Sequence, residues 1–296
     1  MLRMSPPLGD MLRLGDEGAE GRALLVKRAT VMDVDTVSAK AFPEWSDDEA
    51  REAKGWLDDN GLRIGEVCPF YQGRHLGFHD PALHKIAIES YSYQIHISAI
   101  LGARCVGFGW GKEFGWPSPD IWSEETWKTR MAAVAELAEV AEREGMDIAA
   151  HPLYYTPLKS VERCKDLLDS VGSPRLKILL DLVNLCEPYM YYRTTDLVNH
   201  AFDELGEHIA SVHAKDVKIA GGGIGGGAQA EKGNPIVHID EAVPGTGVMD
   251  YETIMRRLGK LPQDITMHVE HFEYEDTIVG QQYIRSIARR VGVEVN

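Results

Sequence analysis

A regular alternation of short apolar runs with longer helix-periodic stretches is the feature that most constrains the fold of this chain. Strands are predicted before residue 12 and near residues 32–37, 62–68, 104–108, 147–151, 176–181, 209–213 and 265–270. Helices fill the gaps and include residues 46–60, 81–101, 123–144, 157–171, 194–205, 251–258 and 277–290. Because βα units of this kind form parallel sheets, the pattern predicts an α/β protein.

The ends of two helices carry recognisable signals. Ser46 with Glu49 three residues later predicts a capping box at the start of one helix, and Gly61 closes that helix. Gly145 is the predicted stop of the helix that begins near residue 123. Both helices therefore have defined ends on either side of a predicted strand.

The length of the chain favours a closed barrel. About eight βα units in 296 residues fit a single (β/α)8 TIM barrel, a fold that takes roughly 250 residues. We therefore expect one TIM-barrel domain over residues 1–296. A doubly wound open sheet is the alternative, because alternation alone does not distinguish a closed sheet from an open one.

A glycine-rich segment over residues 220–247 interrupts the alternation after the seventh strand. Six of the seven residues from Gly221 to Gly227 are glycine. The segment lacks the Lys-Ser/Thr ending of a P-loop and does not lead directly into a helix, which disfavours phosphate binding. We predict a long loop that covers a site, since long connections in compact domains are usually functional or disordered.

Charge and composition exclude several classes of function. The formal net charge is −15, so a phosphate backbone would meet a repulsive field, and we expect no nucleic-acid partner. No apolar run approaches the roughly 20 residues of a membrane span, and no signal peptide is recognisable, so we expect no membrane partner and a cytoplasmic location. The four cysteines are far apart and predict buried reduced thiols.

Four residues with metal-ligand chemistry stand at the carboxyl ends of four successive predicted strands. They are His151, Asp181, His213 and Glu270, separated by 30, 32 and 57 residues, and the glycine-rich insertion accounts for the longest gap. Since the carboxyl ends of barrel strands converge on one mouth, we expect these side chains to share a site. Two imidazoles and two carboxylates suit Mn²⁺, Co²⁺, Zn²⁺ or Fe²⁺ better than Ca²⁺, which prefers oxygen ligands only. We expect Mn²⁺, with Co²⁺, Zn²⁺, Fe²⁺ or Mg²⁺ as alternatives.

Several stretches around these residues resemble the xylose isomerase-like TIM-barrel superfamily of sugar isomerases and epimerases. The matching stretches are LKILLDLVNL, IASVHAKDV, VPGTGVMDYETI and the closing TMHVEH. The resemblance is clear from about residue 145 onward, and the first half matches only in its order of elements. It implies metal-ligand roles for Asp181, His213 and Glu270, and a substrate that is held through its hydroxyl and carbonyl oxygens.

One residue departs from the family pattern. Relatives usually have a glutamate at the end of the fifth strand, and two glutamates then move the proton on opposite faces of the substrate. This chain has His151 there. The same imidazole nitrogen cannot both bind the metal and act as a base, so His151 is either a ligand or a second acid or base beside Glu270, the predicted base.

Other residues are candidates for the mouth of the barrel. The resemblance implies substrate contacts for Asn184, Lys215 and Asp216, and Trp110 and His75 follow the fourth and third predicted strands. Glu66 and His268 are predicted to point into the barrel, where either would orient a metal ligand.

We therefore expect a metal-dependent sugar isomerase or epimerase that removes a proton next to a carbonyl of a keto-sugar or polyol. A lyase or dehydratase of the same superfamily, similar to inosose dehydratases or 3-keto-glycoside lyases, is the first alternative. A metal-dependent nuclease is disfavoured by the acidic charge. A barrel that binds a sugar or partner without turnover also stays open. Relatives are commonly homo-oligomers, so we expect one here, with a second subunit type not excluded.

Overall fold

A computed structural model of the chain describes residues 1–6, 16–69, 76–110, 118–223 and 235–296. The strands are β1 Leu2–Met4, β2 Thr36–Ala39, β3 Arg63–Val67, β4 Cys105–Phe108, β5 Ile148–Ala150, β6 Leu176–Asp181, β7 Ile209–Ala214, β8 Asp216–Gly223, β9 Pro235–Ala242 and β10 Ile265–Val269. The α-helices are α1 Asp16–Met32, α2 Asp47–Asp59, α3 Pro81–Leu101, α4 Glu124–Glu144, α5 Val161–Val171, α6 Thr194–Leu205, α7 Tyr251–Leu258 and α8 Tyr274–Val291.

Eight of these strands form one parallel sheet, in the order β1-β10-β7-β6-β5-β4-β3-β2. The sheet curls into a nearly closed (β/α)8 barrel with helices around it, which confirms the predicted fold class. The two end strands, β1 and β2, share no ladder. They meet through the Ser38 amide, which donates to the Pro6 carbonyl at 3.1 Å, and through the hydroxyls of Ser5 and Ser38 at 2.9 Å.

The capping signals place the helix ends correctly. Ser46 caps α2, and its side chain and Glu49 form the predicted capping box. Gly145 ends α4 in the left-handed conformation, with a φ of 67°. The predicted strand near residues 32–37 is wrong at its start, because α1 continues to Met32, whose side chain is buried in the core, and β2 begins only at Thr36.

The glycine-rich segment is more ordered than predicted. Instead of a loop throughout, β8 and β9 form an antiparallel ribbon that pairs Asp216 with Ala242 and continues to Gly223 and Pro235. Alternating polar and apolar residues in β8 and β9 provide the strand pattern, which the glycine content obscures. Residues 224–234, which include the last three glycines of the run, lie outside the described residues.

Small and medium side chains fill the interior of the barrel. One layer consists of Cys68, Cys105, Ala149, Leu179 and Ala210, all at most 1% exposed. Each of the four cysteines is free and buried, as the sequence predicts. Within the described ranges, no helix is long and apolar enough to cross a membrane.

Candidate metal centre

The carboxyl ends of β5, β6, β7 and β10 bring the four predicted ligands together. Asp181 ends β6 and pairs in register with His213 of β7. His151 follows β5 directly, and Glu270 follows β10 directly. All four side chains are buried, and one nitrogen or oxygen atom of each lies within 4.8 Å of the others. This is the spacing of a group that can share one metal ion.

The contacts within the cluster are close. His151 Nε2 lies 3.3 Å from Asp181 Oδ2, and the His151 and His213 ring centroids are 4.9 Å apart. His213 Nδ1 lies 3.0 Å from Glu270 Oε2 and 3.8 Å from Asp181 Oδ2. The nitrogen and oxygen atoms of the four side chains therefore face a common point.

Glu66 fixes the orientation of His213. Its Oε1 lies 2.9 Å from His213 Nε2 and 2.5 Å from His268 Nδ1, and its Oε2 accepts a hydrogen bond from the Ser211 hydroxyl. With Nε2 held in this way, His213 Nδ1 faces the cluster. A carboxylate on the far nitrogen of a histidine is a common way to orient a metal ligand. Glu66 and His268 thus stand where the sequence predicts them.

The same network sets the protonation of its members. Burial opposes ionisation of Glu66, but its interactions with His213 and His268 hold the pKa of this carboxyl well below its usual range. Burial lowers the pKa of His213 to about 4, although Glu66 opposes this shift. A neutral imidazole is the form that binds a metal.

Lys215 places a positive charge inside the cluster. Its Nζ lies 2.7 Å from Asp181 Oδ2, 2.8 Å from Glu270 Oε2 and 2.9 Å from Glu241 Oε1. The side chain is fully buried, and burial favours a neutral amine, yet Asp181 and Glu241 raise the pKa of Lys215 above its ordinary value. Lys215 therefore remains an ammonium at neutral pH.

Glu270 differs electrostatically from its neighbours. Burial raises the pKa of its carboxyl to about 8, opposed by the charge of His271. Asp181 lies deeper but its pKa falls below the ordinary value, because Lys215 and His151 outweigh the effect of burial. Burial, with the negative charge of Glu66, therefore leaves Glu270 as the group that retains a proton.

Two residues of the cluster were not predicted. Glu241 comes from β9 of the ribbon, and its Oε2 lies 2.7 Å from His271 Nδ1. His271 Nε2 in turn lies 3.3 Å from Glu270 Oε1, and the backbone of His271 is left-handed, with a φ of 70°. His271 directly follows Glu270 in the TMHVEH stretch, so its position next to a predicted ligand could have indicated that it belongs to the site. Nothing in the local sequence of Glu241 indicates that the ribbon brings it to the barrel mouth.

The residues present fit a divalent metal ion. His213 Nδ1 and Glu270 Oε1 are both buried. Although His213 Nδ1 lies close to Glu270 Oε2 and Glu270 Oε1 lies close to His271 Nε2, neither atom has a contact with hydrogen-bond geometry among the described residues. Unsatisfied buried polar atoms are costly, and a metal ion would satisfy both. Two imidazoles and two carboxylates form the mixed nitrogen and oxygen donor set that first-row divalent metals accept.

The other predicted site residues lie in different settings. Asn184 belongs to the cluster: its Nδ2 lies 3.1 Å from His151 Nε2, and its Oδ1 accepts from Lys215 Nζ at 3.3 Å. The Asp216 carboxylate accepts hydrogen bonds from the backbone N–H groups of Val217, Gly245, Gly247 and Met249. It therefore secures the segment that leads into α7.

Trp110 is packed rather than open to the mouth. It is 5% exposed and lies edge-on to Phe108, with ring centroids 5.7 Å apart, and its indole N–H has no hydrogen-bond partner among the described residues. His75 lies outside the described residues.

A family model for xylose isomerase-like TIM barrels matches residues 26–288. The chain therefore belongs to this family. A search of curated protein sequences finds no match.

Solved structures share the fold at low sequence identity. A xylose isomerase-like TIM-barrel protein from Mycobacterium smegmatis, in complex with magnesium, is 14% identical, with a TM-score of 0.69 and coverage of 98% of this chain and 97% of that one. D-psicose 3-epimerase from Clostridium cellulolyticum H10, with D-tagatose, is 16% identical, with a TM-score of 0.65 and coverage of 91% and 93%. The 3-keto-D-glucoside 4-epimerase YcjR from E. coli is 12% identical, with a TM-score of 0.64 and coverage of 96% and 98%.

Proposed function

We propose that the protein is a divalent-metal-dependent sugar isomerase or epimerase that moves a proton next to a carbonyl group. The observation that carries the proposal is the convergence of His151, Asp181, His213 and Glu270, with Nδ1 of His213 aimed at their common point. Membership of the xylose isomerase-like family and the fold shared with two sugar epimerases support a carbohydrate substrate.

His151, Asp181, His213 and Glu270 would hold the metal, with Mn²⁺ as the first choice and Co²⁺, Zn²⁺, Fe²⁺ or Mg²⁺ as alternatives. When bound, the metal would act as a Lewis acid that polarises the substrate carbonyl. The chain itself supplies the base. Glu270 has one carboxylate oxygen, Oε1, with no contact of hydrogen-bond geometry among the described residues, and a pKa of about 8, which suits a group that accepts and returns a proton near neutral pH.

Lys215 and Asn184 would position the substrate in this proposal. The Lys215 ammonium faces the same oxygen atoms as the ligand cluster and stabilises negative charge that develops there. Asn184 fixes His151 and Lys215 relative to each other through its two amide atoms. We assign Asp216 to holding the segment before α7, because four backbone amides already occupy its oxygens.

Elimination is the second candidate reaction, and one observation favours it. The fifth strand supplies His151 rather than a second carboxylate, and Glu270 is paired with the Lys215 ammonium at 2.8 Å. A single carboxylate base beside a cationic proton donor suits removal of an α-proton and departure of a β-substituent. A two-carboxylate pair suits proton return on the opposite face.

Metal content is the first experiment. The purified protein should contain or take up about one divalent metal per chain, measured by elemental analysis after dialysis. His213→Ala should lose this metal. His200→Ala is the matched control, because this half-exposed histidine pairs with Glu162 on the surface. Absence of stoichiometric metal in the wild type after reconstitution with Mn²⁺, Co²⁺ and Zn²⁺ would contradict the proposal.

Incubation with keto-sugars in D₂O separates the two reactions. Solvent deuterium in an intact sugar supports isomerisation or epimerisation, whereas loss of water or of an aglycone supports elimination. Glu270→Gln should abolish either reaction while the far-ultraviolet circular dichroism spectrum stays unchanged. Glu139→Gln on the exposed side of α4 provides the control. Full activity of Glu270→Gln would refute its role as the base.

A further inference from the structure

A charged cavity lies at the opposite end of the barrel from the metal centre. Its volume is about 360 Å³, and its walls are the starts of the barrel strands. The charged lining residues are Arg3, Arg63, Arg104, Arg175, Asp147 and Asp264. Arg104 and Arg175 immediately precede β4 and β6, and Arg63 begins β3. The parallel strands therefore bring four guanidinium groups to one cavity in a chain of net charge −15.

The ion pairs around this cavity leave an excess of positive charge. Asp35 is shared by Arg3, at 2.9 Å, and Arg63, at 3.4 Å. Asp147 is shared by Arg104, at 2.5 Å, and Arg175, at 3.2 Å. Each group of two arginines and one aspartate carries one net positive charge.

The third carboxylate at this end leaves that excess in place. The Asp264 side chain is 61% exposed and pairs with the terminal amino group of Met1 at 3.0 Å. Its backbone carbonyl accepts from Arg104 Nε at 3.1 Å, and the Met1 ammonium, helped by the charges of Arg3 and Arg104, lowers the pKa of its carboxyl. Since the Met1 ammonium balances the charge of the Asp264 carboxylate, the two arginine groups keep their excess of positive charge.

We propose that this cavity is a binding site for a small dianion, in particular the phosphate group of a small metabolite. Its volume falls in the range of roughly 300–1,000 Å³ that is usual for small-molecule sites. A guanidinium has five N–H donors, and phosphate accepts two parallel hydrogen bonds from it. The ion pairs use only part of the donors of Arg63 and Arg175, which are 55% and 42% exposed.

A purely structural role for the arginines is the alternative. The carboxyl ends of α3 and α4 reach this cavity at Gly102 and Gly145, and cations near helix carboxyl ends are stabilising. That role needs no ligand and predicts only a loss of stability when an arginine is removed. The two roles therefore differ in how the protein responds to phosphate.

The test uses the full chain after removal of metal by chelation and dialysis, so that phosphate does not bind through a metal ion. Inorganic phosphate is titrated at constant ionic strength, with chloride as the balancing anion, by isothermal calorimetry and by thermal unfolding. We expect saturable binding and a rise of the melting temperature that saturates over the same phosphate range. Arg63→Gln, at an exposed position, should weaken binding about tenfold, as expected for loss of a charge-assisted hydrogen bond.

Arg51→Gln is the matched control, because Arg51 is 59% exposed on α2, pairs with Asp47 and Asp48, and is not part of the cavity lining. It removes the same charge and should leave phosphate binding unchanged. Arg175→Gln provides a second cavity variant if Arg63→Gln is unstable. The proposal is overturned if the wild type shows no saturable binding. Equal weakening by the Arg63 and Arg51 variants overturns it as well, because that result indicates a general charge effect.

Discussion

The affinity of the metal centre should depend steeply on pH, because Glu270 must lose a proton to bind a cation. Its pKa in the metal-free protein is about 8. Below that pH the protonated form dominates, so about one molecule in a hundred is ionised at pH 6 and about one in eleven at pH 7. The apparent affinity should therefore rise about tenfold from pH 6 to pH 7, equivalent to ~1.4 kcal/mol, and level off above pH 8.

Isothermal calorimetry with Mn²⁺ in buffers of different ionisation enthalpy measures both the affinity and the number of protons released. Close to one proton per metal should be released between pH 6 and pH 7. The burial that raises the pKa of Glu270 is the cause, so Glu270→Gln should bind more weakly and lose this pH slope. An affinity that is flat between pH 6 and pH 7.5, with no proton release, would refute the reasoning.

Three further predictions concern stability. Gly247→Ala places a methyl group in steric clash with the Val217 carbonyl oxygen and should cost about 1–3 kcal/mol in urea unfolding. Gly55→Ala, in α2 with open space around it, should instead stabilise the protein by about 0.5–1 kcal/mol. Hydrogen bonds to Glu144 and Asp47 raise the pKa of His96. The stabilisation that protonated His96 gives the folded protein is fully present below the unfolded-state pKa of about 6.5. It is lost as the pH rises through the higher pKa of His96 in the folded state. His96→Gln should therefore lose stability at pH 5.5 and almost none at pH 9, by less than about 1 kcal/mol because the pair is exposed.

The sequence predicts the barrel and the four candidate ligands for the same reason. Strands of a parallel barrel recur at a regular spacing, and polar residues that end successive buried strands must meet at one mouth. His151, Asp181, His213 and Glu270 therefore converge without any knowledge of the contacts between them. Their distances and charges are properties of the folded chain and do not follow from spacing.

Site residues that do not lie at the ends of the regularly spaced barrel strands were harder to predict. Glu241 reaches the site because β9 pairs antiparallel with β8, and the glycine content of β8 obscures the strand pattern on which that pairing depends. Lys215 was expected to contact substrate, but its ion pairs with Asp181 and Glu241 depend on side chains that are distant in sequence. Such contacts combine elements whose relative position only the fold determines.

The junction between β1 and β2, which share no ladder of backbone hydrogen bonds, affects how the barrel assembles. β1 finds its partner strand at the far end of the chain, where Leu2 pairs with Ile265. Contacts between such distant residues form late in folding, because the entropy of closing the intervening chain must be lost first. We therefore expect β1 to join the sheet last, which closes the barrel at the junction between β1 and β2. In pulsed hydrogen exchange, the β1 amides should gain protection after those of β4 to β7.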